Sequence, residues 1–443
     1  MRQYFWAENS KHAIMIALSL FLLLFLNTFV IALPGISQHS SSLLSIVIIV
    51  SSVFIPMLFG KIFVPTAKIF FESSSSAGKL VLGIHGLIFV GIVQMLMYVH
   101  VSDFLLTEMF QGSHFGLHVT MIVSAGIYTL VGGLNAVLYA NLLIAIFVVG
   151  GILFATVSTM LFNGQLAFPF QSAVRTGTEI FASNGSAESG ALITGIGIVC
   201  MMVWIMWIEL GMVHKQSAVR SDHDTSRSVL IAGIITAVTV SSVLLLYGAV
   251  PQSTAQYSLD VGIGTSLVAV SLLSGMIGLF ALSFQSAASI IALHIYPVIK
   301  HRYSGEEQVL IGRLATVVFA FLSVLLLSFA KLSGNAVLQW YIDFLAFFTT
   351  PIVALFFLSI VFKKGLSGGL LFGFIVGEIY ALQSFIVMNA GVEHSLFNST
   401  SVYSIAIEIL LVTLFGGFCI IRFSKSGVGQ KLLLRIGITR PIP

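Results

Sequence analysis

The chain has 443 residues, of which 58% are hydrophobic and only 8% are charged, and its mean hydropathy is +1.06. A soluble domain cannot bury so much apolar surface, so the composition excludes a soluble protein and indicates a polytopic membrane protein. The formal net charge of +4 resides mostly in short loops, which points to membrane topology rather than to nucleic-acid binding. The chain has no phosphate-binding loop, metal-ligand spacing or nucleophile motif, so we expect neither an enzyme nor a bound metal or organic cofactor.

Twelve apolar segments are predicted to be membrane-spanning helices, which makes the fold class all-α. The first segment follows Arg2 and Lys11. It is too long for the apolar region of a cleaved signal peptide, which is the rival interpretation. The predicted spans are 12–34, 42–64, 78–100, 117–132, 135–162, 189–213, 228–250, 262–297, 307–331, 336–362, 366–389 and 401–421.

The charges of the loops alternate from one side of the membrane to the other. Basic residues collect at the N-terminus, in every second loop and in the tail, whereas the intervening loops carry mainly acidic residues such as Asp103 and Asp260. The positive-inside rule therefore predicts a multi-pass protein of the inner or plasma membrane with both termini in the cytoplasm. The basic tail, residues 422–443, is predicted to lie against anionic lipid of the bilayer.

The order of the spans permits an internal symmetry. Five spans in residues 12–162 begin in the cytoplasm, and five spans in residues 189–362 begin outside. Two units of opposite orientation would form an inverted repeat within a core of residues 1–362, an arrangement common in secondary transporters. Residues 363–421 would then add two peripheral helices.

The eighth span carries polar side chains in an otherwise apolar stretch, namely Ser283, Gln285, Ser286 and Ser289. One interpretation is helix packing, with the hydroxyls bonded to their own backbone. The other is one edge of a cation or solute site. A carboxamide that faces lipid would leave several hydrogen-bonding groups unmet, so Gln285 is harder to explain by packing alone.

The same stretch resembles the eighth core helix of the solute:sodium symporters. LSFQSAASIIALHIY (282–296) is similar to the family pattern S-x-x-N-S-A-S-T-x-x-T-x-D-I-Y. YTLVGGLNAVLYANLL (128–143) resembles the junction of core helices four and five, and HKQSAVRSDHDTSRSVLIAG (214–233) resembles the loop after core helix six. Similarities over 26–35 and 362–377 complete a series that follows the family order along nearly the whole chain.

The resemblance implies the leucine-transporter fold, with two inverted five-helix repeats and two peripheral helices. It also implies a small organic solute bound near the membrane midplane, where discontinuous helices usually mark the site. In the first span, Asn27–Thr28 is the only mid-membrane candidate for such a break. By position, the family's solute-binding residues correspond to Thr28, Phe29, Met202, Ile205 and Asp343, which form a more apolar set than a sugar site.

Several residues depart from the family pattern where sodium is expected. The resemblance implies sodium ligands between core helices one and eight, but the two usual hydroxyl positions correspond to Gly278 and Leu279. An aspartate of the motif at core helix five is replaced by Asn141. Sodium coupling is therefore expected to be weakened or lost, unless other side chains of a shifted helix replace the ligands. The candidate ion-coupling residues are Ser283, Gln285, Ser286, Ser289, Glu209 and Asn141.

Glu209 and Asp343 are acids within apolar spans, where an ionised carboxylate is costly. Both are candidates for proton coupling, and a solvated position near the cytoplasmic end is an equal alternative for Glu209. The predicted function is secondary active transport of a small organic solute by alternating access, coupled to sodium or to protons. The alternative is a non-transporting membrane sensor or scaffold subunit that retains the symporter fold and has a membrane or cytoplasmic protein partner.

Overall fold

The computed structural model describes residues 2–5, 13–38, 54–109, 114–162, 196–209, 221–249, 262–333, 336–363, 365, 369–389 and 402–424. Within these ranges the regular secondary structure is helical and includes no strand. The prediction of an all-α membrane protein is confirmed. The basic tail beyond residue 424 lies outside the described residues.

The helices follow the predicted spans closely. Each of the twelve predicted spans overlaps a described helix, and within the second span the structure describes helical residues 54–58 and the start of a further helix at Gly60. In chain order the helices are α1 (Arg2–Phe5), α2 (Ala13–Gln38), α3 (Gly60–Glu72), α4 (76–109), α5 (Phe115–Phe162), α6 (Ile196–Ile208), α7 (Asp222–Ala249), α8 (262–299), α9 (Gly305–Ser333), α10 (336–362), α11 (Gly369–Asn389) and α12 (Val402–Ser424).

By length and composition, eight helices of the described part can cross a membrane, and α2 and α6 contribute shorter apolar stretches. The difference from twelve arises partly because α5 contains two predicted spans. These spans meet at Gly133, whose φ of 55° and ψ of −147° interrupt the helical geometry. Glycine reaches this conformation without the steric penalty of a side chain.

The central helices of the bundle are α2 and α8. Helix α8 packs along α5, and α2 packs along α7. Between Met276 and Ala292 the side chains of α8 are almost all buried, whereas α5 and α9 expose large apolar side chains outward, as lipid-facing helices do.

Helices α11 and α12 pack on each other and on α10. They meet through small residues, because a Cβ on Gly373 would lie 3.1 Å from the Gly417 Cα. Close backbone approach of this kind is a common way for membrane helices to associate. The boundaries of the two inverted repeats, 12–162 and 189–362, stay a prediction.

Two contacts join separate loops that the charge pattern places on one side of the membrane. Lys68 pairs with Asp222, which links the end of α3 to the start of α7. The Gly365 amide donates to the Ser73 hydroxyl, which links the segment before α11 to the end of α3.

A third contact closes the connection between α8 and α9 on the same side. Glu307 accepts hydrogen bonds from Lys300 and Tyr296. The bond to Glu307 raises the pKa of the Lys300 ammonium group above its ordinary value.

Candidate functional site

The predicted solute-binding residues on α2 and α6 are in contact. The Thr28 hydroxyl lies 3.8 Å from the Met202 sulfur, and both side chains are buried. Ile205, one turn further along α6, is also fully buried. The side chain of Phe29 lies outside the described residues. The structure therefore brings Thr28 and Met202 together at one place between the two helices.

Asp343 lies on α10 and is 7% exposed, so the acid predicted at the solute site is buried in the bundle. Two residues earlier, the Tyr341 hydroxyl donates to Asn27 Oδ1 over 2.5 Å. Asn27 Nδ2 in turn donates to the Leu23 carbonyl oxygen at 2.8 Å. A buried hydrogen-bond chain thus connects α10 to α2 beside Thr28.

Aromatic rings surround this polar chain. Phe89 of α4 stacks on Tyr341 and on Phe344, with ring centroids 6.0 Å apart in both pairs. Trp204 of α6 packs edge-on against Phe89, with ring centroids 5.8 Å apart. The ring centroid of His85 lies 5.1 Å from that of Trp204. We call His85, Phe89, Trp204, Tyr341 and Phe344 the aromatic cluster.

Helix α6 ends beside the aromatic cluster. Its last turn, Trp204–Ile208, is π-helical, and Glu209 leaves the helix with φ −57° and ψ 120°. Glu209 is 1% exposed, so the alternative of a solvated residue is wrong.

The break predicted at Asn27–Thr28 is not observed. Helix α2 runs without interruption through these two residues. The Asn27 amide group is instead bonded within the helix, which leaves its carbonyl oxygen for Tyr341. The described core helices depart from α-helical geometry instead at Gly133 of α5, at the end of α6 and in single π-helical turns of α4, α8 and α10.

The region expected to hold sodium contains the Asn141 carboxamide. Asn141 Nδ2 lies 3.5 Å from the Ser19 hydroxyl oxygen of α2 and 3.4 Å from the Gly278 carbonyl oxygen of α8. A Cβ on Gly278 would lie 2.8 Å from Asn141 Oδ1, so glycine is needed for this approach. An amide N–H group therefore faces oxygen atoms on both helices between which the symporter resemblance implies a cation.

The Gln285 carboxamide of α8 holds the N-terminal segment. Its Nε2 donates to the Tyr4 carbonyl oxygen at 3.1 Å and to the Ser289 hydroxyl at 3.4 Å. The role of Gln285 and Ser289 in ion coupling stays a prediction.

The other two serines of α8 have different surroundings. Ser286 donates to the Leu282 carbonyl oxygen of its own helix at 2.7 Å, as the packing interpretation expects. Ser283 Oγ is buried and has no hydrogen-bond partner in the described part of the chain. Their role in ion coupling also stays a prediction.

Sequence reasoning missed Asn27 and Tyr341 as a bonded pair of the site. The signal that could have found Asn27 is a carboxamide in the middle of an apolar span, where an unmet amide is costly. Tyr341 gives no such signal, since a tyrosine near a membrane interface is ordinary. Its partner is 314 positions away in the sequence.

The geometry is matched by solved transporter structures over nearly the full chain. A Na⁺-coupled sialic acid symporter in a substrate-bound outward-open state superposes with a TM-score of 0.71, at 14% identity, over 94% of this chain and 92% of that one. The chain has the leucine-transporter fold. MHP1, a nucleobase-cation-symport-1 family transporter, matches with a TM-score of 0.56 at 11% identity over 96% of both chains. A mutant of the manganese transporter of Eremococcus coleocola matches with a TM-score of 0.56 at 16% identity, over 94% of this chain and 96% of that one.

Two mouse proteins show sequence similarity. Solute carrier family 5 member 4B is 28% identical over 130 residues, and sodium/glucose cotransporter 4 is 28% identical over 132 residues. These matches cover 28% and 29% of this chain but only 19% of each relative, so they span about a fifth of the relatives' length. No family model matches the chain. The shared fold and these partial sequence similarities confirm the resemblance to the solute:sodium symporters. The relatives are transporters rather than enzymes.

Proposed function

We propose that this protein is a secondary active transporter that moves a small organic solute across the membrane by alternating access. The proposal rests above all on the buried meeting point of α2, α6 and α10, where Thr28 contacts Met202 and Tyr341 bonds to Asn27. Transporters of this architecture bind solutes near the midplane at the interface of their repeats. The transporter structures of the same fold support this function.

A solute site at this position is apolar and aromatic with few polar groups. Met202 and Ile205 are buried on the α6 side, and the aromatic cluster lies next to the polar pair Asn27 and Thr28. Small-molecule sites are built in this way, with apolar walls and a few polar groups that orient the ligand. We therefore propose a small, weakly polar organic solute rather than a sugar.

The proposed site can be tested by solute-dependent stabilisation of the purified protein. A ligand that binds only the native state raises the apparent stability by mass action. We expect at least one member of a library of small organic solutes to raise the melting temperature of the detergent-solubilised protein. Met202→Trp should abolish that rise because the larger side chain crowds Thr28, which Met202 contacts, whereas Val361→Trp on the exposed face of α10 should preserve it.

We further propose that coupling does not use sodium in the groove between α2 and α8. The sialic acid symporter of the same fold is Na⁺-coupled, so sodium is the rival coupling ion. Sodium is a hard cation that needs several oxygen ligands, however. The Asn141 N–H group faces the oxygens of Ser19 and Gly278, so the carboxamide offers a cation only Oδ1, which is buried without a hydrogen-bond partner in the described part of the chain.

The buried acids Glu209 and Asp343 are the proposed proton carriers. Glu209 directly follows α6 and Asp343 lies on α10, so both acids belong to the surroundings of the proposed solute site. An acid buried in a membrane protein is costly when ionised. Its proton exchange is therefore readily linked to a conformational change that alters its access to water.

The non-transporting alternative predicts a different result in transport experiments. A sensor or scaffold subunit would not accumulate any solute in sealed vesicles, and it would co-purify with a stable protein partner. The solved structures of the same fold are transporters, so this alternative is not favoured. We also propose that both termini face the cytoplasm of the plasma or inner membrane, as the loop charges predict.

A further inference from the structure

Two buried polar atoms in the aromatic cluster lack hydrogen-bond partners in the described part of the chain. They are Trp204 Nε1 and His85 Nδ1. The two rings are neighbours, with centroids 5.1 Å apart and planes at 71°. Buried polar groups are nearly always hydrogen-bonded, so a pair of unmet groups side by side calls for an explanation.

The hydrogen-bonding character of each atom is fixed. The indole Nε1–H of Trp204 can only donate. His85 Nε2 lies 2.6 Å from the Phe348 carbonyl oxygen, which can only accept, so this nitrogen carries the proton. In the neutral imidazole ring Nδ1 is then an acceptor. The cluster therefore presents one donor and one acceptor on two neighbouring rings.

A ligand that satisfies both groups must offer both an acceptor and a donor. The edge of a cyclic amide does so, because its carbonyl oxygen and its N–H point outward side by side. The surrounding side chains are aromatic: the ring centroid of Phe344 lies 5.8 Å from that of His85, and the ring centroid of Phe89 lies 5.8 Å from that of Trp204. Aromatic rings favour offset or edge-on contacts with another planar ring.

The remaining chemistry of the site narrows the ligand class. A sugar carries many hydroxyl groups and needs many polar partners, and this cluster is mostly hydrocarbon. An anionic solute is disfavoured by the buried acid Glu209, whose backbone N–H donates to the Trp204 carbonyl oxygen at 2.9 Å. A neutral ring with one amide edge has few polar groups and no negative charge, so it meets both conditions.

We propose that Trp204 and His85 recognise the transported solute, and that this solute is a neutral planar heterocycle with a cyclic amide edge. The proposal rests on the transport function proposed above and names its substrate class. Trp204 Nε1–H would donate to the ring carbonyl oxygen, and His85 Nδ1 would accept from the ring N–H.

The test is equilibrium binding of radiolabelled uracil to the purified full-length protein in detergent. Uracil has the amide edge, and 1,3-dimethyluracil lacks both ring N–H groups while keeping the flat ring. We expect saturable binding of uracil that 1,3-dimethyluracil does not displace. Trp204→Phe and His85→Phe keep aromatic rings but each remove one partner, so each should weaken binding by roughly tenfold.

Trp207→Phe is the matched control. The Trp207 indole N–H already donates to the Pro56 carbonyl oxygen at 3.2 Å, and its ring packs on Phe63 at the α3 side. The uracil affinity of this variant should equal that of the wild type. Thermal unfolding of each variant shows whether it is folded, and the comparison of the two ligands needs only the wild-type protein.

Three outcomes would overturn the proposal. They are equal displacement by 1,3-dimethyluracil, unchanged affinity in both folded variants, and absence of binding by uracil and by 2-pyridone, a second cyclic amide. If neither heterocycle binds while a solute of another class accumulates in vesicles, the substrate class is wrong and the transport function stands. If no solute of any class accumulates, the transport function itself fails.

Discussion

The hydrogen bond between Tyr341 and Asn27 ties α10 directly to α2 at the proposed site. Both side chains are at most 1% exposed, and the bond is 2.5 Å long. Tyr341→Phe leaves the Asn27 carbonyl oxygen buried without this donor. We expect a loss of about 1–3 kcal/mol in the free energy of unfolding, measured by thermal or denaturant unfolding in detergent.

Tyr303→Phe is the control for the Tyr341 variant. Tyr303 is 41% exposed and lies in the connection between α8 and α9, so loss of its hydroxyl should change stability by less than about 0.5 kcal/mol. Equal effects of the two substitutions would contradict the role given to the Asn27 bond.

Asn141 sets the expected response to sodium. Asn141→Asp replaces the N–H group by a second carboxylate oxygen, which faces the Ser19 hydroxyl and the Gly278 carbonyl oxygen. A carboxylate among neutral oxygens favours a hard cation. We expect the variant to gain a sodium-specific, saturable rise in melting temperature that the wild type lacks, at constant ionic strength against potassium and choline. A rise in the wild type that the variant lacks would contradict the role given to Asn141.

For single residues, the sequence predicts which residues lie near the site better than it predicts which side chains contact each other there. The resemblance places Thr28 and Met202 at the solute site, and they do touch. The Tyr341–Asn27 bond cannot be predicted, because nothing local in the sequence tells which of many buried side chains meet across 314 positions. The polarity of Gln285 is hard to explain by packing alone, but it does not predict the partner in α1.

Among the helices, the aromatic cluster coincides with departures from α-helical geometry. Phe89–Gln94 of α4, Trp204–Ile208 of α6 and Leu345–Thr349 of α10 are all π-helical, and their residues or immediate neighbours supply three of the cluster rings. The fourth described π-helical turn, Ile291–Ile295 of α8, supplies none of them. Single π-helical turns inside α-helices occur often at functional sites. Hydrophobic periodicity cannot show such turns, since one inserted residue changes the pattern too little.

The N-terminal helix α1 is held against the break in α5. Tyr4 and Phe5 are buried, and the Tyr4 carbonyl oxygen accepts from Gln285 of α8. A Cβ on Gly133 would lie 2.6 Å from that carbonyl oxygen, in a backbone conformation that side chains rarely adopt. Helix α1 thus contacts α5, α8 and, through Phe5 against Gly312, α9.

Substitution of Gly133 tests this contact. Gly133→Ala forces either a strained backbone or displacement of α1, so we expect a loss of about 1–3 kcal/mol in the free energy of unfolding. Gly150→Ala in the same helix is the matched control, because a Cβ there meets nothing within 4 Å. It should be neutral or slightly stabilising, by up to about 1 kcal/mol. Similar losses in both variants, measured by thermal unfolding, would argue against the contact between Gly133 and Tyr4.

For the whole molecule, membrane-spanning helices are readable from the sequence because they need long apolar runs. The boundary predicted between the fourth and fifth spans coincides with the interruption at Gly133. Composition does not show which helix lies inside the bundle. Helix α8 is buried on most sides, whereas α9 exposes apolar side chains outward. Both helices are apolar enough to span the membrane.

The proposed topology can be tested with single cysteines in a Cys419→Ala background, where the remaining Cys200 is buried. Glu72→Cys and Arg302→Cys lie in loops predicted to be cytoplasmic, and Thr107→Cys lies in a loop predicted to be external. A membrane-impermeant thiol reagent should label only Thr107→Cys in intact cells and the other two in inside-out vesicles.

Labelling of Glu72→Cys and Arg302→Cys from opposite sides of the membrane would contradict the topology. Labelling of Glu72→Cys and Thr107→Cys from the same side would contradict it as well, because α4 is predicted to cross the membrane between them. The unmodified Cys419→Ala protein, treated in the same way, gives the background signal from Cys200.

Solute uptake into proteoliposomes separates a transporter from a protein that only keeps the fold. The purified protein is reconstituted, a mixture of small organic solutes is supplied outside, and the solutes inside are measured by mass spectrometry under an imposed proton gradient or sodium gradient. We expect at least one solute to accumulate under the proton gradient, no accumulation under a sodium gradient, and no uptake by Met202→Trp. Accumulation driven by sodium alone would contradict the coupling proposal, and no accumulation of any solute under either gradient would contradict transport itself.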